Sequence, residues 1–542
     1  MATTFIFNGK KVKLAGVYST IKAGFKNPPR DLDYGKILLI DTGSGAGFGH
    51  GSGVIGTLAS GAEAVYQGIE DIETYREVVK GGILWKLGEP LFQPNGASSI
   101  GISGVVYARA ATTVAAEIDM TGLTNGGFTI QCRDEGLVGN GVEGVTSVLT
   151  QGYATTLTAG VVDPAKFILT LWRGVYKGQD TNNGIPWDGV ALGQAPEKVA
   201  ESPEVTNVSE LITWMTNDAI FNLRFKLKAG STATGAVVAG DLVTFAGNTL
   251  AAGGTETYAT ERIDEILDVV QDFDYAMVLA DKWGSNSAHA FNQKILTHLR
   301  SEARFEKHMY VGGAADINDM VANSVTAAET YDDDFTAVCH GAVRITDTKM
   351  PLGYRYYESI YKAALVVGRL AGLPPQVPLT FKKLKIDGEE HKLNKKEQAQ
   401  LLDAGVLYTI YDADFGGHIV GQGINTLQDN ENLINDNGTS HSIQVRRITA
   451  QLNKEIEVNA KKQLLGDPNG VNINTLSEQV IKDWLGGYLK GKIAQPTDDD
   501  LIVGYETESI SVTKVQDAYQ ITYGFYPNTE ITKLFFTGFM LS

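Results

Sequence analysis

Three stretches of this chain carry residue types that do chemistry in other proteins. Gly51-Ser52-Gly53-Val54-Ile55-Gly56 matches G-x-G-x-x-G, a pattern whose glycines let a pyrophosphate approach a helix N-terminus. That fingerprint belongs directly after a strand. Here about ten loop residues separate it from the apolar run Lys36-Ile37-Leu38-Leu39-Ile40, and no Walker lysine follows. With 61 glycines in the chain a chance match is expected, so the segment reads as a flexible or subunit-contacting loop. Asp281 and His340 each follow a predicted strand, at the carboxyl edge where α/β proteins bind ligands. They are the candidate pair of an α/β enzyme built on residues 260–370, although spacing alone does not make them one. Asp412-Ala413-Asp414 and Asp429-Asn430-Glu431-Asn432 imitate cation loops but lack the glycine and terminal glutamate of the twelve-residue calcium pattern, and they read as turns.

The remaining chemistry is thin. The eight histidines are scattered, with no H-E-x-x-H or other compact ligand spacing, and no serine sits in G-x-S-x-G. No cofactor and no metal is expected. Cys132 and Cys339 lie in separate segments, which suits a reducing compartment rather than a disulfide framework. The net charge of −17 disfavours direct nucleic-acid binding, which needs a basic footprint. No apolar run approaches the roughly 20 residues of a membrane helix, and the N-terminus lacks the apolar core of a secretory signal.

The elements that must position these residues follow from periodicity. Lys36–Ile40 and Val105–Ala110 are predicted strands, with mixed helical matter between Glu63 and Val79. From about Ile118 to Leu250 the texture turns to Thr, Gly and Val, with β runs such as Phe128–Gln131 and Phe167–Trp172 and one helical piece at Ser209–Thr216, which predicts an all-β insertion. From Thr260 helix and strand alternate. Ile263, Ile266, Leu267 and Val270 form a helical face, Tyr275–Ala280, Met309–Val311 and Phe335–Cys339 are strands, and Ala288–Ala303 and Tyr357–Leu370 are helices. Such alternation predicts a mainly parallel sheet.

The last unit starts near Gln376. It opens with a short helix at Lys395–Ala404 and strands at Val406–Tyr411 and Ile419–Leu427. Val445, Ile448, Leu452, Ile456, Ala460 and Leu464 then repeat at helical spacing. Thr475-Leu476-Ser477-Glu478 fits a capping box for a further helix, and Tyr519, Ile521, Tyr523 and Phe525 alternate as a strand.

Both ends of the chain carry strand-forming matter. At the front, Phe5-Ile6-Phe7 and Val12-Lys13-Leu14 flank Asn8-Gly9, a strong hairpin signal because both residues tolerate positive φ. Gly16–Ile21 continues in extended fashion, and Leu534–Leu541 is almost wholly apolar. Ends of this kind pair within the domain or add strands to a partner's sheet.

Several C-terminal stretches resemble the contractile tail sheath proteins of bacteriophages and related injection systems. They are Leu402–Ile410 (helix, Ala-Gly turn, apolar strand), Gly421–Leu427, Val445-Arg446-Arg447-Ile448, Gly466-Asp467-Pro468-Asn469 and the ending Tyr526–Leu541. Gly16-Val17-Tyr18 and Val105–Ala111 are fainter matches, and the Trp-containing segment common after Ala371-Gly372-Leu373 is missing.

The resemblance implies an α/β, α+β multidomain chain. It would comprise an N-terminal arm (1–25), an α/β core in two parts (26–117 and 256–375), a β-rich outward insertion (118–255) and a tube-proximal C-terminal domain (376–542). The small sheet of that last domain is completed by terminal strands of neighbouring subunits. The expected donors are Phe5, Phe7, Val12, Leu14, Val17 and Tyr18 at the front, and Phe535, Phe536, Phe539 and Leu541 at the end. Arg446, Arg447, Lys454, Lys461, Lys462, Lys482 and Lys490 are the candidate tube contacts. The implied function is structural, not enzymatic: a helical homo-oligomer of hexameric rings that contracts and drives the tube through a cell envelope. Its implied partners are itself, the tail tube, the baseplate and the tail terminator, without nucleic acid or membrane insertion. Its implied place is the virion tail, assembled in the bacterial host cytoplasm.

Overall fold

The computed structural model describes residues 5–7, 10–12, 35–41, 47–48, 55–57, 63–79, 82–96, 99–136, 140, 142–143, 149–173, 197–228, 231, 235–244, 249–258, 260–270, 273, 275–280, 286–299, 309–313, 321–346, 354–357, 359–389, 391–427, 441–465, 476–493, 501–515 and 518–528. Its organising element is an eight-stranded sheet in the order Val406–Leu407, Thr336–Cys339, Met309–Gly313, Met277–Ala280, Lys36–Asp41, Gly104–Arg109, Glu63–Ile69, Ile55–Thr57. The first six strands are parallel, and the last two add antiparallel at one edge.

A parallel sheet is covered on both faces, so its strands read as continuous apolar runs. Here the period of two sorts those runs into two cores. Ile37, Leu39, Val105, Tyr107, Met277, Leu279, Ala337 and Cys339 pack on one side, under helices Gly82–Phe92 and Ser359–Ala371. Leu38, Ile40, Val106, Ala108, Val278, Ala280 and Val338 pack on the other, under Thr260–Val270, Asn286–Thr297, Val321–Tyr331 and Lys395–Asp403. The helical face of Ile263, Ile266, Leu267 and Val270 is buried in this second core.

Several elements differ from expectation. Glu63–Ile69 is a strand, and the helix starts only at Ile72, where the Asp71 carboxylate accepts from the Glu73 and Thr74 amides. Tyr354–Tyr357 is also a strand, so the following helix begins at Ser359. The second strand of the 409–420 hairpin is confined to Gly417–Val420. The eight-stranded sheet takes its edge strand from Val406–Leu407, beyond the expected core limit at 375. Gly56 sits in strand Ile55–Thr57, where the dinucleotide fingerprint needs a helix; Gly51 and Gly53 lie outside the described residues.

In the expected insertion a four-stranded and a five-stranded sheet enclose a third core, with a further two-stranded pair at Val142–Glu143 and Leu149–Gln151. The insertion is not all-β, because Val208–Asn217, Ala219–Arg224 and Ala239–Thr244 are helical. Asn207 and Asp218 nucleate the first two of these by accepting from the Glu210 and Phe221 amides. Its strands Ala111–Asp119 and Thr255–Tyr258 pair across the boundaries expected at 118 and 255.

Candidate assembly site

The C-terminal unit is built on two helices, Ile443–Ala460 and Glu478–Lys490. Each begins with a serine cap: Ser442 accepts from the Val445 amide and Ser477 from the Val480 amide. The second start is therefore set by Ser477; Thr475 lies outside the described residues. Ile448, Leu452 and Ile456 meet Leu485 and Leu489 in a fourth core. A buried polar link joins the same helices. The Glu455 carboxylate receives Lys492 Nζ at 2.6 Å and the Tyr488 hydroxyl at 2.7 Å.

On these helices lie two two-stranded antiparallel sheets, Ile502–Tyr505 with Phe525–Pro527, and Ser511–Val515 with Ala518–Thr522. No residue of the second pair is fully buried, and Val503 and Tyr526 of the first are 55% and 51% exposed. Two strands alone are marginal in water, so these sheets depend on the helices beneath them. The first leaves Val503 and Tyr526 exposed, whereas the exposed residues of the second are polar, Ser511, Thr513, Lys514, Gln520 and Thr522.

The candidate donor residues divide by position. The backbones of Phe5–Phe7 and Lys10–Val12 form the hairpin that Asn-Gly predicts, with Phe5 opposite Val12 and Phe7 opposite Lys10. Among the described residues this hairpin is a sheet of its own. Leu14, Val17, Tyr18, Phe535, Phe536, Phe539 and Leu541 lie outside the described residues.

The candidate tube contacts divide as well. Arg446 and Arg447 are buried. Arg447 donates to the carbonyls of Leu370 at 2.7 Å and Leu373 at 2.6 Å. The first lies in the last turn of helix Ser359–Ala371 and also accepts from the Leu373 amide; the second lies just beyond the helix end. Arg446 lies 3.6 Å from the Phe335 ring centroid and 3.9 Å from the Asp334 carboxylate. The Arg-Arg pair thus joins the C-terminal helix to the core. Lys454, Lys461 and Lys482 are half-buried, Lys461 pairing with Glu457, while Lys462 and Lys490 are exposed.

His340 sits at the end of strand Thr336–Cys339, as expected, but in a closed cluster. It is 2% exposed, its Nδ1 is 2.8 Å from Ser324 Oγ, and its Nε2 is buried without a hydrogen-bond partner among the described residues. Asp281, its expected companion, lies outside the described residues. Burial, and then the nearby charge of Lys362, push the His340 imidazole down to about 3. Burial also pushes the neighbouring Cys339 thiol up to about 12.

Lys362 is the centre of the cluster. It donates to the His340 carbonyl and to Glu389, each at 2.6 Å. Glu389 also accepts from Thr409 and lies 3.8 Å from His418 Nδ1. The junction ties three elements together: the core helix, strand Gly388–Glu389 and hairpin Thr409–Val420. Sequence reasoning passed over Lys362, Glu389 and Thr409. The available signal was a single lysine near the start of a helix apolar all round, which demands a buried partner.

Among the described residues no group of three or more His, Cys, Asp or Glu could hold a metal ion, and no helix is long and apolar enough to cross a membrane.

No protein-family model matches the chain. It is 24% identical to the tail sheath protein of Bacillus phage SP01 over 566 residues, covering 92% of this chain and 90% of that protein. Its fold is that of two crystallised sheath tail proteins. One, from Desulfitobacterium hafniense, superimposes with a TM-score of 0.59 at 14% identity, covering 95% of this chain and 97% of its own. The other, from Listeria innocua, gives 0.52 at 16% identity and covers 94% of each.

Proposed function

We propose, from a chain that has the sheath-protein fold along nearly its whole length, that this protein is the repeating subunit of a contractile tail sheath. The observation that carries the reading is end-to-end coverage: almost all of this chain and almost all of each crystallised sheath tail protein superimpose. An isolated α/β domain shared with an unrelated enzyme would not extend through the C-terminal unit.

In this reading subunits polymerise as helical rows around a tail tube, with the 376–542 unit innermost. The terminal segments, residues 1–25 and those after 528, add strands to the two-stranded sheets of neighbours. That each of these sheets has only two strands among the described residues supports that arrangement, because an open edge offers backbone groups to which a further strand can pair. Strand pairing tethers subunits while their globular parts slide, and contraction is the release of a metastable lattice into a more favourable one. With Arg446 and Arg447 buried in the subunit, the tube contact falls to Lys454, Lys461, Lys462, Lys482 and Lys490. Exposed ion pairs of this kind are individually weak, at about 0–1 kcal/mol, which suits a tube that must be released. The remaining partners are the baseplate and the tail terminator, and the location is the virion tail after assembly in the host cytoplasm.

Negative-stain microscopy of the concentrated full chain tests the reading. The expected result is hollow cylinders or stacked rings. A species that stays monomeric at every salt concentration overturns it. Deleting residues 1–22 should leave a folded, soluble subunit that forms no cylinders; normal assembly by that variant moves the linking role elsewhere.

A further inference from the structure

Among the described residues the most exposed large apolar side chains are adjacent. Val161 and Val162 are 86% and 90% exposed, at the tip between strands Tyr153–Ala159 and Phe167–Arg173. Single exposed valines need no explanation, but this pair is held in place. The Glu204 carboxylate accepts from the Val162 amide at 2.7 Å and the Asp163 amide at 3.2 Å. The Gly160 amide donates to the Lys166 carbonyl, the Lys166 amide to the Asp163 carbonyl and the Ala165 amide to the Asp163 carboxylate. A Cβ on Gly160 would fall 2.5 Å from the Asp163 carbonyl, so the turn requires glycine there. The result is a rigid knob with an apolar end and a carboxylate-bearing collar.

Elsewhere on the chain lies a cleft of opposite character. It has a volume of about 210 Å³ and is walled by Arg76, Trp85, Lys86, Ile345, Tyr357 and Tyr361. Its cations lie against its rings, with the Arg76 guanidinium 4.9 Å from the Trp85 centroid and Lys86 Nζ 5.8 Å from that of Tyr357. Glu89, also in the wall, is engaged by Lys385. A cavity of about 150 Å³ accommodates the six carbons of benzene, and two valine side chains also contain six carbons. The knob does not fill the cleft of its own chain, because both valines are solvent-exposed.

We propose that the Val161–Val162 tip of one copy seats in the Arg76–Trp85–Tyr357 cleft of a second copy. The proposal rests on the sheath reading, which supplies the second copy. Apolar end meets aromatic wall, and the half-exposed Asp163 carboxylate meets the partly exposed Arg76 guanidinium, Lys86 being buried in its own chain. Knob and cleft occupy different sites on the chain, so the contact is head-to-tail and propagates into rings or open helices.

The test uses full-length chains carrying Val162→Cys or Thr346→Cys, the latter on the cleft wall. The natural Cys132 and Cys339 are both buried. Under mild oxidation in assembled material, a mixture of the two variants should give covalent dimers that neither gives alone. Val161→Asp combined with Val162→Asp should raise the concentration needed for assembly at least tenfold while leaving the circular dichroism spectrum unchanged. Cylinders formed by the mixture without the mixed dimer, or by the Asp variant at the wild-type concentration, overturn the contact and leave the sheath reading standing. A wild-type chain that never assembles overturns both.

Discussion

The central sheet and the C-terminal sheets of this molecule are opposite solutions to one problem. Strands Gly104–Arg109, Met277–Ala280 and Thr336–Cys339 have every residue buried, and helices cover both faces of their sheet. Strands Ser511–Val515 and Ala518–Thr522 have none fully buried, and each C-terminal sheet has two strands among the described residues. The first region satisfies its backbone and its apolar surface within one chain. The second stands on two helices and stays partly exposed. If the sheath reading holds, the division would place the invariant body in the central sheet and the exchangeable bonds in the C-terminal sheets.

The strongest way to break that comparison is to open the closed region. Lys362 and Glu389 are nearly buried, at 2% and 11% side-chain exposure. Removing one partner of such a pair strands the other's charge, at a cost of about 3–5 kcal/mol. Lys362→Met should lower the unfolding free energy by about that amount in urea melts, and Lys362→Met with Glu389→Gln should recover much of it. A single variant as stable as the wild type would mean that the junction is not sealed.

The seam between the two regions is the next target. Arg447 donates to two carbonyls at and just beyond the end of the core helix, and hydrogen bonds to charged groups contribute about 1.5–3 kcal/mol. Arg447→Met should cost about that much. Amide exchange should quicken more in helix Ile443–Ala460 and strands Ile502–Pro527 than in the central sheet, because local opening follows the least stable unit. Uniform acceleration across both regions would show that they unfold as one.

What the sequence disclosed follows the same divide. Lys36–Ile40, Tyr275–Ala280 and Phe335–Cys339 were legible because doubly buried strands read as unbroken apolar runs, and Ile263 to Val270 because its face has a clean helical period. Glu63–Ile69 was misread because Glu, Gln and Gly interrupt its alternation, and sheet order lies in no local pattern at all. At the candidate site, the Arg446-Arg447 pair looked like surface charge. Nothing within a helix signals that an arginine's partners are carbonyls some seventy residues away. His340 was placed correctly at its strand end, but its enclosure by Ser324 and Lys362 comes from other elements.

His340 supplies the smallest and most specific test, a pH slope belonging to the closed region. Its imidazole protonates near 6.5 when unfolded and is pushed down to about 3 when folded. Between those values the unfolded chain binds more protons than the folded one, so stability rises with pH. The contribution is fully present above pH 6.5 and drains away as acid is added, by up to about 1.4 kcal/mol per pH unit. His340→Gln retains a hydrogen-bonding side chain beside Ser324 but has no such proton to bind. Urea melts between about pH 5 and 6.5, above the main carboxylate range, should therefore show a shallower decline for the variant. The difference should appear for probes in the central sheet and not for Trp484 fluorescence, since that residue packs in the separate C-terminal core. Parallel pH curves for the two proteins would place the protonation outside the folded body and remove acid sensitivity from the contrast between the regions.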